Sequence, residues 1–187
     1  MNQEIINEVR EFVKRECEKP TSNYGHEPFE FHFKPAVKYA KELSEKLDAD
    51  KEIVVISTWL HDIGSIIHGR ENHHETGAEV AEEKLKELDY PEEKIELVKG
   101  CIKNHRSSIG NPRSTLEEKI VAEADALSCF DDIPGLFQVA FKYEDKDRKE
   151  GIESVKSKIQ NQWESLHFEE SREIIRPKYE AAMKILN

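Results

Sequence analysis

Apolar residues recur along this chain at intervals of three and four, the spacing of one face of an α-helix. Ile5, Ile6, Val9, Phe12 and Val13 predict a first helix, and Val37, Ala40, Leu43 and Leu47 a second. Pro35 suits the first turn of that second helix, where a missing N–H costs nothing. Between the two, "TSNYGHEPFEF" is rich in turn formers and reads as a loop. A third helix, capped by Asp50, carries Ile53, Ile56, Trp59 and Leu60 and is expected to stop near Gly64. Asn72 with Glu75 three residues on reads as the cap of a fourth, which runs through Ala78, Val80, Ala81, Leu85 and Leu88. Pro91 opens a fifth, with Ile95, Val98 and Ile102 inward. After a loop over 106–112, Ser114 with Glu117, or Thr115 with Glu118, makes a capping box for a sixth. Its inward positions are Leu116, Ile120, Val121, Ala124 and Leu127.

"DDIPG" breaks the chain again, and "KYEDKDRKEG" reads as a solvated connector. Beyond it Ile152, Val155, Ile159, Trp163 and Leu166 share one helical face, and Pro177 is expected to kink or split the last helix. No stretch sustains the alternation of a strand. The pattern predicts an all-α helical bundle, one domain over 1–187 with a C-terminal helical extension from about residue 136.

Composition narrows the classes. The 187 residues carry a formal charge of −11, which disfavours general nucleic-acid binding, because a polyanion is repelled over most of such a surface. A small anionic substrate stays compatible if a site supplies its own positive charge. Cys17, Cys101 and Cys129 are widely separated with no CxxC pair, and read as neutral thiols in a reducing cytosol. The N-terminal segment is an amphipathic helix with acidic residues, unlike a signal peptide, and no apolar run approaches the ~18 residues that span a bilayer. The expected setting is cytoplasmic, without a membrane partner.

The histidines add chemistry. His32 stands at the mouth of the second helix, His61 and Asp62 in the last turn of the third, His73 and His74 in the first turn of the fourth, and His105 after the last apolar turn of the fifth. Asp125 is different: it lies mid-helix among Ala124, Ala126 and Leu127. A carboxylate there is costly to bury unless something cationic meets it. The positions three and four residues away are Val121, Ala122, Ser128 and Cys129, so its partner must come from another helix. Histidines are the leading candidates, and histidines converging with aspartates describe a divalent metal site. Neighbours on a helix point about 100° apart, so His61 and Asp62 cannot both face a core, yet both can reach an ion off the helix end. Small Gly64 leaves room there for substrate or for backbone approach.

The ordered set His32, His61-Asp62, His74, His105 and Asp125 resembles the HD superfamily of metal-dependent phosphohydrolases. "HFKPAVKYAKEL" resembles the family's first-histidine helix, "WLHDIG" its HD helix, and "TLEEKIVAEADAL" its aspartate helix. The likeness covers roughly residues 26 to 130. It implies that His32, His61, Asp62 and Asp125 are the primary metal ligands. His74 and His105 then hold a second ion, with Asp62 bridging, or in one-metal members contact phosphate or assist proton transfer. His73 adjoins His74, which leaves the register of that ligand open; "HETGAE" favours His74.

The implied chemistry is hydrolysis of a small phosphorylated compound, a nucleotide or related phosphomonoester, with Asp62 orienting a metal-activated water and His74 and His105 assisting. Arg106, directly after His105, is the first choice to clamp phosphate. One or two divalent ions are implied, and mixed nitrogen and oxygen ligands suit Mn, Fe, Co, Ni, Zn or Mg. Ser65 follows "HDIG" and no GYP occurs, unlike the cyclic-dinucleotide phosphodiesterases. The fold also hosts di-iron oxygenases, and a non-catalytic nucleotide-binding module is the remaining alternative. The stripe from Ile152 to Leu166 serves either core packing or a homodimer face.

Overall fold

The computed structural model describes residues 1–106 and 112–186. The loop expected over 106–112 therefore falls mostly on 107–111, outside the described residues. Among the described residues the chain is helical with no strand, as the spacing predicts.

α1 spans Gln3–Glu18, with the Asn2 side chain accepting from Ile5 N at 3.3 Å. A π-helical turn, Phe29–Phe33, runs without a break into α2, Lys34–Lys46. The turn formers of "TSNYGHEPFEF" thus end earlier than expected, and His32 lies inside helical backbone. α3, Lys51–Leu60, opens on Asp50, whose carboxylate accepts from Glu52 N at 3.0 Å and Ile53 N at 3.2 Å. Every residue from Glu52 to Leu60 is buried. A helix buried all round must be central, and α3 packs against α1, α2, α6 and α7.

α3 stops at the His61-Asp62 pair rather than near Gly64, and a short α4, Ile63–His68, follows. Gly64 sits inside α4 for a packing reason: a Cβ there would meet His73 O at 2.2 Å and Gly77 N at 2.7 Å. Both belong to α5, His73–Glu87, so Gly64 lets two helix backbones touch. Asn72 does precede α5, but in a left-handed conformation (φ 53°) with no capping bond from its side chain.

α6 spans Glu92–Asn104 and α7 Leu116–Ser128. Of the two possible capping boxes the structure forms Thr115 with Glu118. α8, Ile133–Gln138, and a second π-helical turn, Val139–Tyr143, lead to α9, Arg148–Glu164, and α10, Glu169–Leu186. Pro177 lies within α10 without splitting it. α9 buries Val155 and Ile159, and Trp163 stacks on Tyr179 of α10 with ring centroids 4.4 Å apart. Buried Glu123 of α7 accepts from His167 N at 2.6 Å and Phe168 N at 3.1 Å. Those are donors at the start of α10 that no helical carbonyl reaches, so one carboxylate ties the C-terminal helix to the helix of Asp125.

Candidate metal centre

α3 and α6 each end in a histidine, and the helix end itself explains the orientation of the ring. The last carbonyls of a helix lack intrahelical donors. His61 at the end of α3 bonds Thr58 O at 2.7 Å through Nδ1, and His105 at the end of α6 bonds Ile102 O at 2.6 Å. His73, opening α5, bonds Arg70 O at 2.8 Å in the same way. A carbonyl only accepts, so each Nδ1 carries a proton and each Nε2 is left to hold either a second proton or a metal ion. His32 follows the same logic through a side chain. Ser128 donates its hydroxyl to Asp125 O at 2.7 Å, so its oxygen accepts from His32 Nδ1 at 3.0 Å.

These Nε2 atoms converge. His32 Nε2 and His61 Nε2 are 2.9 Å apart, and each is 3.6 Å from Asp125 Oδ1. His73 Nε2 and His105 Nε2 are 3.4 Å apart, at 3.1 Å and 3.6 Å from Asp62 Oδ1. The other oxygen of Asp62 faces the first group, 3.4 Å from His32 Nε2 and 3.9 Å from His61 Nε2. Within each trio, His32-His61-Asp125 and Asp62-His73-His105, the ligand atoms all lie within 4.8 Å of one another. Paired imidazole nitrogens beside carboxylates repel unless a proton or a metal ion stands between them. The donor set therefore fits divalent metal.

Asp62 reaches both trios because it leaves the helix. Its backbone (φ −109°, ψ 13°) is in the bridge region between α3 and α4, which re-aims the side chain. Burial alone would depress the His61 imidazole, but Asp62 and Asp125 outweigh it and lift it to about 9. Burial likewise opposes ionisation of Asp125 and Asp62; the histidines prevail and hold both well below the usual carboxylate range.

His32, His61, Asp62, His105 and Asp125 come together where the sequence places them, but His74 does not join them. Its Nε2 lies 3.9 Å from Glu75 Oε1, and its Nδ1 is buried without a hydrogen-bond partner. The α5 register turns His73 inward instead. Neighbouring helical residues diverge by about 100°, so only one of the pair can face the aspartates. His61 is fully buried, while His32, Asp62, His73, His105 and Asp125 line a cleft of about 1040 Å³ whose lining also includes Arg106, Phe31 and Lys158. Arg113 is a different case from a solvated cation. It donates to Asn104 O and His105 O, both at 2.9 Å, and so holds the backbone that carries His105. Neither Arg113 nor Ser128 carried any sequence signal beyond proximity to a histidine or aspartate. Burial raises the Cys129 thiol, which lines the cleft, to about 11, so it is a neutral group there. A third cluster, Glu82, Glu92 and Glu96, is interleaved with Lys86 and Lys99, both 2.6 Å from Glu82, and forms an ion-pair network.

The HD domain pattern matches residues 31–129, more than half of the chain. The chain belongs to the HD domain family. Two solved structures share the HD fold over nearly its whole length. A Lactobacillus plantarum protein superposes with a TM-score of 0.75 at 12% identity, covering 99% of this chain and 94% of its own. A predicted HD superfamily hydrolase from an uncultured Thermotogales bacterium gives 0.60 at 21% identity, covering 99% and 88%. The tRNA (cytidine(56)-2'-O)-methyltransferase of Picrophilus torridus is 29% identical over 135 residues. The match covers 67% of this chain and only 38% of that enzyme's length. This HD domain thus has an all-α fold with histidine and aspartate groups able to hold a metal ion. Among the described residues no helix is long and apolar enough to cross a membrane.

Proposed function

We propose that this HD domain is a metal-dependent phosphohydrolase acting on a small phosphorylated compound, a nucleotide or related phosphomonoester. The observation that carries the reading is the position of Asp62, one oxygen facing His32 and His61 and the other facing His73 and His105. A carboxylate so placed suits two ions sharing one ligand, the arrangement that serves both the attacking and the leaving oxygen of a displacement at phosphorus. His32, His61 and Asp125 would hold one ion, and His73 and His105 the other. A divalent cation there supplies Lewis acidity toward a phosphoryl oxygen and acidifies water.

The chain's own groups do the rest. Asp62 would accept a hydrogen bond from the attacking water and so orient it. Arg106 lines the cleft beside His73 and meets a phosphoryl oxygen. Ser128 and Arg113 hold His32 and His105 in place. The charge of −11 favours a small anion drawn into a cationic centre over a polymeric one such as tRNA.

Elemental analysis of the protein as purified, beside Asp62→Ala, tests the reading when both are assayed with Mn, Co or Mg on nucleotides and phosphate esters. Metal and phosphate release in the parent, with neither in the variant, is the expected result. Stoichiometric iron with oxygen uptake and no phosphate release would replace it with oxygenase chemistry. Persistent nucleotide binding without turnover would make the chain a binding module.

A further inference from the structure

Helix α9 has two faces. Val155 and Ile159 lie buried on one side. Lys158, Asn161 and Gln162 of α9, with Ser165 just past its end, line the same cleft as the proposed metal ligands. Lys158 and Asn161 stand exposed at the cleft, whereas Gln162 is buried, and a buried carboxamide needs a reason.

These side chains are held back from partners within the protein. The chain has 39 acidic residues, yet the neighbours of Lys158 at three and four positions are Ser154, Val155, Asn161 and Gln162, none acidic. No carboxylate comes within ion-pairing distance of Lys158 among the described residues, whereas Arg70, another cation of the cleft, is paired with Glu144 at 3.3 Å. The Asn161 carboxamide makes no side-chain hydrogen bond among the described residues, and the buried Gln162 carboxamide reaches only Cys129 Sγ at 3.8 Å, a weak acceptor. Cys129 in turn lies 3.8 Å from the carbonyl of Asp125, so Gln162 stands one side chain away from the metal centre. Ser165 donates to Gln162 O at 2.9 Å and keeps only acceptor capacity.

We propose that Lys158, Asn161 and Gln162 read the leaving group of the substrate, and that this group is a sugar or similar polyol. The assignment rests on the phosphohydrolase reading and adds a substrate class to it. A carboxamide presents a donor and an acceptor side by side, as vicinal hydroxyls do, so each can exchange two hydrogen bonds with a diol. Two carboxamides on adjacent positions, beside a cation suited to the ester's anionic oxygen, fit a hydroxylated body bearing phosphate. An apolar leaving group would strand the buried Gln162 carboxamide and strip water from Asn161 without replacing it. Sites built from polar groups discriminate strongly for that reason. These are specificity residues; the chemistry at phosphorus remains with the metal ligands.

The test compares kcat/KM for adenosine 5'-monophosphate and ribose 5-phosphate with that for p-nitrophenyl phosphate, all with Mn²⁺ and the full chain. Asn161→Ala and Gln162→Ala are expected to lower the preference for the sugar phosphates at least about tenfold, through KM with kcat little changed. Lys158→Gln is expected to raise KM for the sugar phosphates. Gln160→Ala, outside the cleft lining, is the control and keeps the wild-type preference. Circular dichroism checks folding; if Gln162→Ala unfolds, exposed Asn161 decides the matter. A preference unchanged in Asn161→Ala, or wild-type turnover of p-nitrophenyl phosphate alone, overturns the assignment and leaves the hydrolase standing. Turnover of no probe by the wild type overturns the hydrolase reading, and the assignment falls with it.

Discussion

His73 Nε2 lies 3.1 Å from Asp62 Oδ1, while the side chain of His74, the next residue, turns away toward Glu75. The contact joins the first turn of α5 to the break between α3 and α4, and it decides which of two adjacent histidines belongs to the site.

Replacing each histidine separately should therefore give unequal results. His73→Ala is expected to lose about one metal equivalent per chain and most activity, as removal of a ligand does. His74→Ala is expected to keep its metal. Elemental analysis of both variants after loading with Mn²⁺ settles the order, and loss confined to His74→Ala would return the role to that residue.

Gly64 supports the same contact from beneath. Because a Cβ would press into the backbone of His73 and Gly77, Gly64→Ala must push α5 away from α4. Overpacking of this kind costs about 1–3 kcal/mol, or a fall in Tm of roughly 2–12 °C for a chain of this size. Metal binding should weaken as well, since His73 moves with its helix. A thermal melt with a metal titration checks both, and a variant that melts and loads like the parent would exclude the contact.

Ser128 touches no ligand atom and still should matter. Its hydroxyl fixes which nitrogen of His32 carries the proton. Ser128→Ala is expected to weaken metal affinity about 10–100-fold, the usual cost of losing such a support. Calorimetric titration with Mn²⁺ measures it, and Tm of the metal-free protein should move little by comparison.

Acid stability should depend on Glu52, far from the cleft. Burial opposes its ionisation, but Lys94 at 2.8 Å, Tyr90 at 2.9 Å and the Asn2 amide bring its carboxyl down from 4.5 to about 2. A folded-state value below the unfolded one contributes stability in full above the unfolded value and loses it as pH falls through the folded value. The contribution, on the order of 2–3 kcal/mol, should fade between about pH 4.5 and pH 2. Urea melts of the parent and Glu52→Gln across that window check it: the gap between them should close as pH falls, and a gap independent of pH would show another origin.

The order of the helices and the identity of the metal-site candidates were legible in the sequence for a local reason. Apolar spacing fixes which side of each helix turns inward, and Asp50 and the Thr115-Glu118 pair mark helix starts through bonds within four residues. Asp125 declared itself because its own helix offers it no cation. Such features depend on near neighbours in the chain, and sequence alone determines them.

The register of α5, the task of Gly64, and the parts played by Ser128, Arg113 and Lys158 were decided only by tertiary structure. His73 and His74 are equivalent to any local rule. What separates them is the angle at which α5 crosses α4, set by backbone contact at Gly64 and Gly77. Ser128 meets His32 across 96 residues of chain, and Lys158 lines the same cleft as His73 and His105 only because α9 packs against α7 and α8. A helix repeats its side-chain directions every 3.6 residues, but which of them meets a partner depends on where the other helix lies.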